Sequence, residues 1–243
     1  MWRDDLRGIY FIALKDLKTY YLKPPSISWG IVFPLSWILA FYLRNPQNFE
    51  QLVPGLIGMT ILFSTTAAEA VVINFELRLG SLERLLLTPI SLPAVLLGKV
   101  IGGAVFGLLM TVTVTIASIL ALGLYNVNIL YLALVTVPSL LVFSSLGALL
   151  CVLVKEVFEA QTLLNLPRFI MVFLCGVVYP ISAMPQILQT IAYIMPLTYT
   201  IDGLRRAFTL SQDMTVLIDA SVLLVFFTVF IFPAIKLLDR RFE

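Results

Sequence analysis

Five or six unbroken apolar stretches, each long enough to cross a bilayer, fill most of this 243-residue chain. A spanning helix needs about 20 mostly apolar residues to match a hydrocarbon core roughly 30 Å thick. Only short loops remain between the stretches, and none is long enough to fold as a soluble enzyme domain. Function therefore resides in the bundle itself.

Composition agrees. The chain is 60% hydrophobic and 12% charged, with mean hydropathy +1.01, whereas soluble domains carry about 25% charged residues. A soluble fold of this size could not hide so much apolar surface. The net charge of +2 is too small and too scattered for a nucleic-acid footprint. The sequence contains no histidine, which removes imidazole metal sites, histidine-based triads and histidine haem ligation. Cys151 and Cys175 both lie inside apolar runs and read as small buried hydrophobes. The N-terminus is too charged for a cleavable signal, so targeting falls to the first span.

Residues 2–23 read as a helix with Leu6, Ile9, Tyr10, Ala13, Leu17 and Tyr20 on one face, and Phe11 spoiling the other. That pattern suits a helix lying in the membrane interface; a plain basic flank orienting the next span is the other reading. Pro24-Pro25 ends the segment, giving an interfacial element over 1–25. Spans are expected at about 26–43, 52–75, 100–124, 129–154, 163–181 and 215–236.

An N-terminus in the cytoplasm puts Arg3, Arg7, Lys15, Lys18, Lys23, Arg78, Arg84, Lys99, Lys155, Arg168, Lys236, Arg240 and Arg241 on or near the inside. Only Arg44, Arg205 and Arg206 fall outside. Thirteen against three is a strong positive-inside bias, and it favours six spans over five. The resulting fold class is an all-α membrane protein: a single transmembrane domain over 1–243 with both termini cytoplasmic. Residues 181–214 fall outside the spans yet are apolar, with Pro180, Pro185 and Pro196 as breaks, so an external re-entrant helix pair between spans five and six is expected.

The inner loop 76–99 carries the most information. Ser81 reads as an N-cap with Glu83 in the first turn, where the helix dipole favours a carboxylate. Leu82, Leu85 and Leu86 form an apolar edge, and Thr88-Pro89 stops the helix. The outcome is a very short helix across the inner face, with Glu83 and Arg84 available to a partner; an ordinary capped linker is the bland alternative. Glu69 sits within the second span about six residues, or roughly 9 Å, from its inner end. An intramembrane carboxylate is functional by default, although a hydrated or structural role fits the same position. Gly98, Gly102, Gly103 and Gly107 permit close helix approach in the third span, within one subunit or between two. Pro34 would kink the first span, and Asp202 and Arg205 are spaced to pair.

The run Gly80, Leu82-Glu83-Arg84-Leu85-Leu86, Thr88-Pro89 and Gly98-Lys99 resembles the membrane subunit of ABC-2 type transporters. So does a second stretch: Gly176, Tyr179-Pro180, Met184-Pro185, Pro196-Leu197-Thr198-Tyr199, Asp202 and Arg205. The resemblance covers essentially the whole chain. It implies a permease that dimerises, with a second copy or a paralogue, and pairs with two cytoplasmic ATP-binding subunits. The helix holding Glu83 would be the coupling helix, and Ser81 through Pro89 its surroundings. Pro180, Pro185, Pro196 and Tyr199, with Glu69, become substrate-path or gate residues. The chain has no G-x-x-x-x-G-K-[ST] phosphate loop, so it binds no cofactor in that manner; ATP and Mg would act through the partner ATPase. The expected activity is export of a drug, lipid or lipid-linked glycan across the cell membrane.

Two other classes compete. A secondary carrier or channel working without an ATPase would show midplane ionisable residues or paired broken helices. An intramembrane enzyme would need a histidine-based or double-carboxylate site, and Glu69 has no partner evident in the sequence.

Overall fold

The computed structural model describes residues 2–44, 52–124, 126–154, 156–209 and 214–242. Their regular elements are all helical, in the order α1 (Trp2–Asp16), α2 (Pro24–Ile27), α3 (Phe33–Arg44), α4 (Val53–Arg78), α5 (Ser81–Leu86), α6 (Leu92–Leu122), α7 (Ile129–Leu153), α8 (Val157–Leu174), α9 (Gln186–Tyr193), α10 (Pro196–Thr209) and α11 (Thr215–Phe242). Two π-turns, Leu17–Tyr21 and Ser28–Val32, extend α1 and join α2 to α3, and a 3₁₀ turn, Ile181–Ala183, precedes α9. The side chains of Trp2, Arg44, Glu83 and Leu86, and the whole of Lys155 and 210–213, lie outside the described residues.

Four described helices are long and apolar enough to cross a membrane: Val53–Arg78, Leu92–Ala121, Ile129–Leu153 and Thr215–Arg241. They differ from the expected spans mainly at the loop around α5, where helix replaces most of 76–99. The first expected span appears as one continuous rod over 24–44, because the π-turn carries α2 straight into α3. Pro34 explains the turn. It has no N–H to close the helical ladder and its ring crowds the preceding carbonyl; just before it, Phe33 donates instead to Ser28 O, the wider π spacing. Pro24 opens this rod as its first residue rather than closing the preceding helix. The fifth expected span, 163–181, is α8: it starts earlier and ends at Leu174, and Cys175–Pro180 form an irregular turn.

The centre of the bundle is α4. Every residue from Val53 to Ala70 is buried, with α6, α7, α8 and α10 packed around it. Toward its start, Ile57, Phe63, Val135, Phe143, Leu197 and Ile201 share one apolar core with α7 and α10. Toward its end, Ile73, Leu82, Val95, Cys151, Leu164 and Ile231 form another that includes α5. The α11 end is held there by Arg241, which donates to Val152 O at 3.2 Å and to Val154 O at 2.9 Å, carbonyls that α7 leaves open.

α1 lies against the first turns of α6. A Cβ on Gly98 would sit 3.0 Å from Ile12 Cβ, and one on Gly102 would sit 3.2 Å from Ala13 Cα. The buried face of α1 is Gly8, Ile12, Ala13 and Asp16, while Leu6, Tyr10 and Phe11 are exposed. That face is rotated from the one apolar spacing suggests, because a glycine contact and a buried carboxylate carry no hydrophobic signal.

Candidate functional site

The two stems of the α5 loop are locked together by charge. Glu76, near the end of α4, and Lys99, in α6, are each 1% exposed, and Lys99 Nζ donates to Glu76 Oε2 at 2.5 Å. Asp16 of α1 is fully buried, accepts from Lys99 at 3.4 Å through Oδ2 and forms an ion pair with Lys15 at 3.0 Å through Oδ1. Lys15 also bonds Glu76 Oε1. Two cations and two carboxylates thus close a ring joining α1, α4 and α6 beneath α5. Burial pushes the Asp16 carboxyl above its ordinary range, against the pull of Lys99 and Lys15. Burial also opposes the charge on Lys15, but the hydrogen bond to Glu76 and the Asp16 charge outweigh it, and its pKa rises. Lys99 and Lys15, counted above as flanking charges, are here structural cations.

Above this ring, Gly80 turns the chain with φ 64°, a left-handed conformation that a side chain disfavours. Gly80, not Ser81, occupies the N-cap position of α5; the Ser81 hydroxyl donates back to Glu76 O at 3.3 Å. The expectation for Ser81 fails because the sharp turn needs the glycine one residue earlier. Leu82 is buried under α5, Leu85 is half-buried, and Arg84, Thr88 and Pro89 face outward. Glu83 and Leu86 lie on the α5 backbone. The Thr88 hydroxyl donates to Leu85 O at 2.5 Å and so closes the helix. Asp5 accepts from the Ser91 N–H at 2.8 Å, tying α1 to the start of α6. Between α1 and the loop lies a cleft of about 450 Å³ whose lining includes Arg7, Phe11, Lys15, Leu85, Thr88 and Pro89. Leu79 and Leu87, 65% and 87% exposed, flank α5; sequence reading passed over both because they sit beyond its ends.

Glu69 is fully buried where α4, α6 and α7 meet. Ser144 of α7 donates to its Oε1 at 2.7 Å and also lies 2.8 Å from Val100 O. Glycine makes the space: a Cβ on Gly103 would fall 2.3 Å from Glu69 Oε1, and one on Gly147 would fall 3.1 Å from Glu69 Cβ. Gly107 admits Thr65 and Leu140 in the same way. The four α6 glycines therefore serve two faces, Gly98 and Gly102 toward α1, Gly103 and Gly107 toward α4 and α7. Because α4 runs on to Arg78, Glu69 stands about 14 Å from its end at 1.5 Å per residue, deeper than expected.

At the opposite end of α4, the prolines start elements. Pro180 precedes the 3₁₀ turn, Pro185 caps α9, and Pro196 opens α10. Tyr199 donates to Tyr193 O at 2.9 Å and so holds α10 to α9. Gly176, at φ 79°, lets Arg205 of α10 donate to its carbonyl. The expected Asp202–Arg205 pair is long, at 4.0 Å, because the guanidinium is drawn to Gly176. Arg168, placed among the inner charges, is in fact fully buried inside the bundle. The described residues contain no cluster of side chains able to hold a metal.

An all-helical chain with four apolar helices of spanning length, a buried central one among them, is a multi-pass membrane protein. The sequence model of the ABC-2 type transporter family matches residues 7–209, and the chain belongs to that family. It is similar to the Inner membrane transport permease YadH of Escherichia coli (strain K12), 28% identical over 253 residues covering 96% of each chain. The Probable multidrug ABC transporter permease YbhS of the same organism is 26% identical over 86% of this chain and 56% of its own length. Nodulation protein J of Bradyrhizobium diazoefficiens is 25% identical over 99% of this chain and 92% of its own. The chain is thus a membrane permease subunit of an ABC transporter and not an enzyme; its family implies that ATP and Mg act through a partner ATPase.

Proposed function

We propose that this permease works as an exporter of amphipathic molecules, with six spans per chain, two permease chains per transporter and one ATPase docked on each. The rod over 24–44 and α8 are the two spans beyond the four apolar helices. Both termini and α5 are cytoplasmic, and α9 and α10 form a re-entrant pair on the outer side. α5 is the coupling helix, with Arg84, Leu85, Leu87 and Thr88 presenting a surface to the ATPase. Glu69 and the segment from Pro180 through Tyr199 lie along the substrate path or its gate.

The observation that carries this reading is the ring of Lys15, Asp16, Glu76 and Lys99 under α5. A helix of six residues transmits little by itself. The ring locks its two stems, α4 and α6, to each other and to α1, so a push on α5 would pass through them to the centre of the bundle. ATP-driven closure of the ATPases would then bias one of two packings through contacts at α5. YbhS is named a probable multidrug permease, which supports an amphipathic cargo.

The test is co-expression with an ABC ATP-binding subunit and purification on a tag carried by the permease. The wild type is expected to retain the ATPase, and Arg84→Glu combined with Leu87→Asp to lose most of it while the permease still purifies. A wild type that associates with no ATPase, or that moves substrate in liposomes without nucleotide, would return the chain to the carrier class.

A further inference from the structure

Arg168 of α8 is fully buried and faces the middle of α4. Its Nε donates to Thr66 Oγ1 at 2.7 Å and its Nη1 to Asn165 Oδ1 at 3.0 Å, both neutral acceptors. Nη2 has no hydrogen-bond partner. The guanidinium carbon lies 5.4 Å from the centroid of the Phe63 ring. The described ion pairs join other residues and none includes Arg168. Glu69, one turn along α4 from Thr66, is turned to Ser144 instead.

A guanidinium stays charged in proteins, and a buried charge without a counter-charge is strongly unfavourable. Such a group inside a membrane bundle marks a functional position. Its remaining donor points the same way. Arginine offers a planar fork that matches the paired oxygens of phosphate and carboxylate, and here one arm of that fork is unspent.

The surroundings define the rest of the ligand. Phe63 meets Phe33 at 4.5 Å with the rings tilted by 43°, Phe33 meets Phe169 at 6.2 Å and Trp37 at 6.3 Å, and Trp37 meets Phe173 at 5.5 Å. Phe169 is 37% exposed and Phe173 57%. A chain of ring contacts therefore links the buried cation to Phe169 and Phe173, the exposed rings of α8. A cation at the bottom of an apolar track fits a molecule with an anionic head and an apolar body.

We propose that Arg168 is the head-group contact for an anionic amphiphile, with Thr66 and Asn165 positioning it and the Phe63–Phe33–Trp37–Phe173 track holding the apolar part. The inference rests on the reading of the chain as a permease and names the charge class of its cargo.

The experiment uses the complete chain with its co-purified ATPase in nanodiscs of phosphatidylcholine, titrated with dodecyl phosphate and with dodecanol, its uncharged counterpart. Retention of the ATPase is checked separately, so a complex that never assembles counts against the permease reading and not against this site. The wild type is expected to bind dodecyl phosphate about tenfold more tightly than dodecanol. Arg168→Gln should remove that preference, and Arg168→Lys should keep part of it. Equal binding of the two probes by the wild type overturns the proposal, with no variant required. So does a preference that survives Arg168→Gln undiminished. Adding phosphatidylglycerol to the nanodisc then separates the sources: competition means that the site also takes lipid head groups, and its absence means that it takes soluble amphiphiles alone, the oxyanion chemistry standing in both cases.

Discussion

Within the ring under α5, neutralising an acid and removing a base have opposite consequences. The Asp16 pKa lies above its ordinary value of 3.8 in the fold, chiefly through burial. A carboxyl with a raised folded pKa favours its neutral form, so its contribution is present at low pH and is lost as pH rises through the folded value. Ionised Asp16 is therefore held against its burial, and Glu76 remains to take both lysines when Asp16 carries no charge. Asp16→Asn is expected to keep or raise the melting temperature in detergent at neutral pH. Lys99→Met should lower stability by about 3–5 kcal/mol, because it strands two buried carboxylates with Lys15 alone. An Asp16→Asn protein that melts as early as Lys99→Met would show the ring to be a simple sum of attractive pairs.

Helix boundaries went astray at these same residues. Glu76 and Lys99 are charged, and a charge at the edge of an apolar run reads as the membrane border, which set the second span to end near 75 and the third to start near 100. The two charges instead neutralise each other inside the bundle, so α4 runs on to Arg78 and α6 begins at Leu92. Pairing between residues 23 positions apart leaves no mark in either local window. The bond from Arg168 to Thr66, 102 positions away, leaves no local mark either, and the Ser144 contact to Glu69 spans 75 positions. What periodicity and length did carry was the helical class, the short helix before Thr88-Pro89 and the close helix approach at the α6 glycines. Close helix approach makes a sharp prediction at the other end of α4. A Cβ on Gly55 would lie 2.4 Å from the backbone oxygen of Val177, an atom that no rotamer change can move. Gly55→Ala is expected to cost about 1–3 kcal/mol, read as a lower melting temperature. Gly30→Ala should cost less, since the new methyl would meet only Ser64 Cβ at 3.1 Å and the flexible Met110 side chain at 3.2 Å. If the two variants melt alike, contact with fixed backbone does not set the tolerance.

At the scale of the whole molecule, α5 and the α9–α10 pair lie at opposite ends of α4, and the proposed machine requires the first to be inside the cell and the second outside. The chain offers a clean way to test that polarity. Its cysteines, Cys151 and Cys175, are both buried free thiols, so a bulky water-borne maleimide has little access to the wild type. Leu87 and Ile187 are 87% and 76% exposed, one beside α5 and the other on α9, so a cysteine at either position would be a surface thiol on a known end. In intact cells a membrane-impermeant maleimide should label Ile187→Cys and leave Leu87→Cys unlabelled; opening the membrane should make Leu87→Cys react. The reverse pattern would put α5 outside, where no ATPase could reach it. Labelling of both in intact cells would mean that one of the intervening helices does not cross. The proposed arrangement has α6, α7 and α8 each cross in turn, so an error in any one crossing inverts every end that follows it, and these two positions, one before α6 and one after α8, bracket all three.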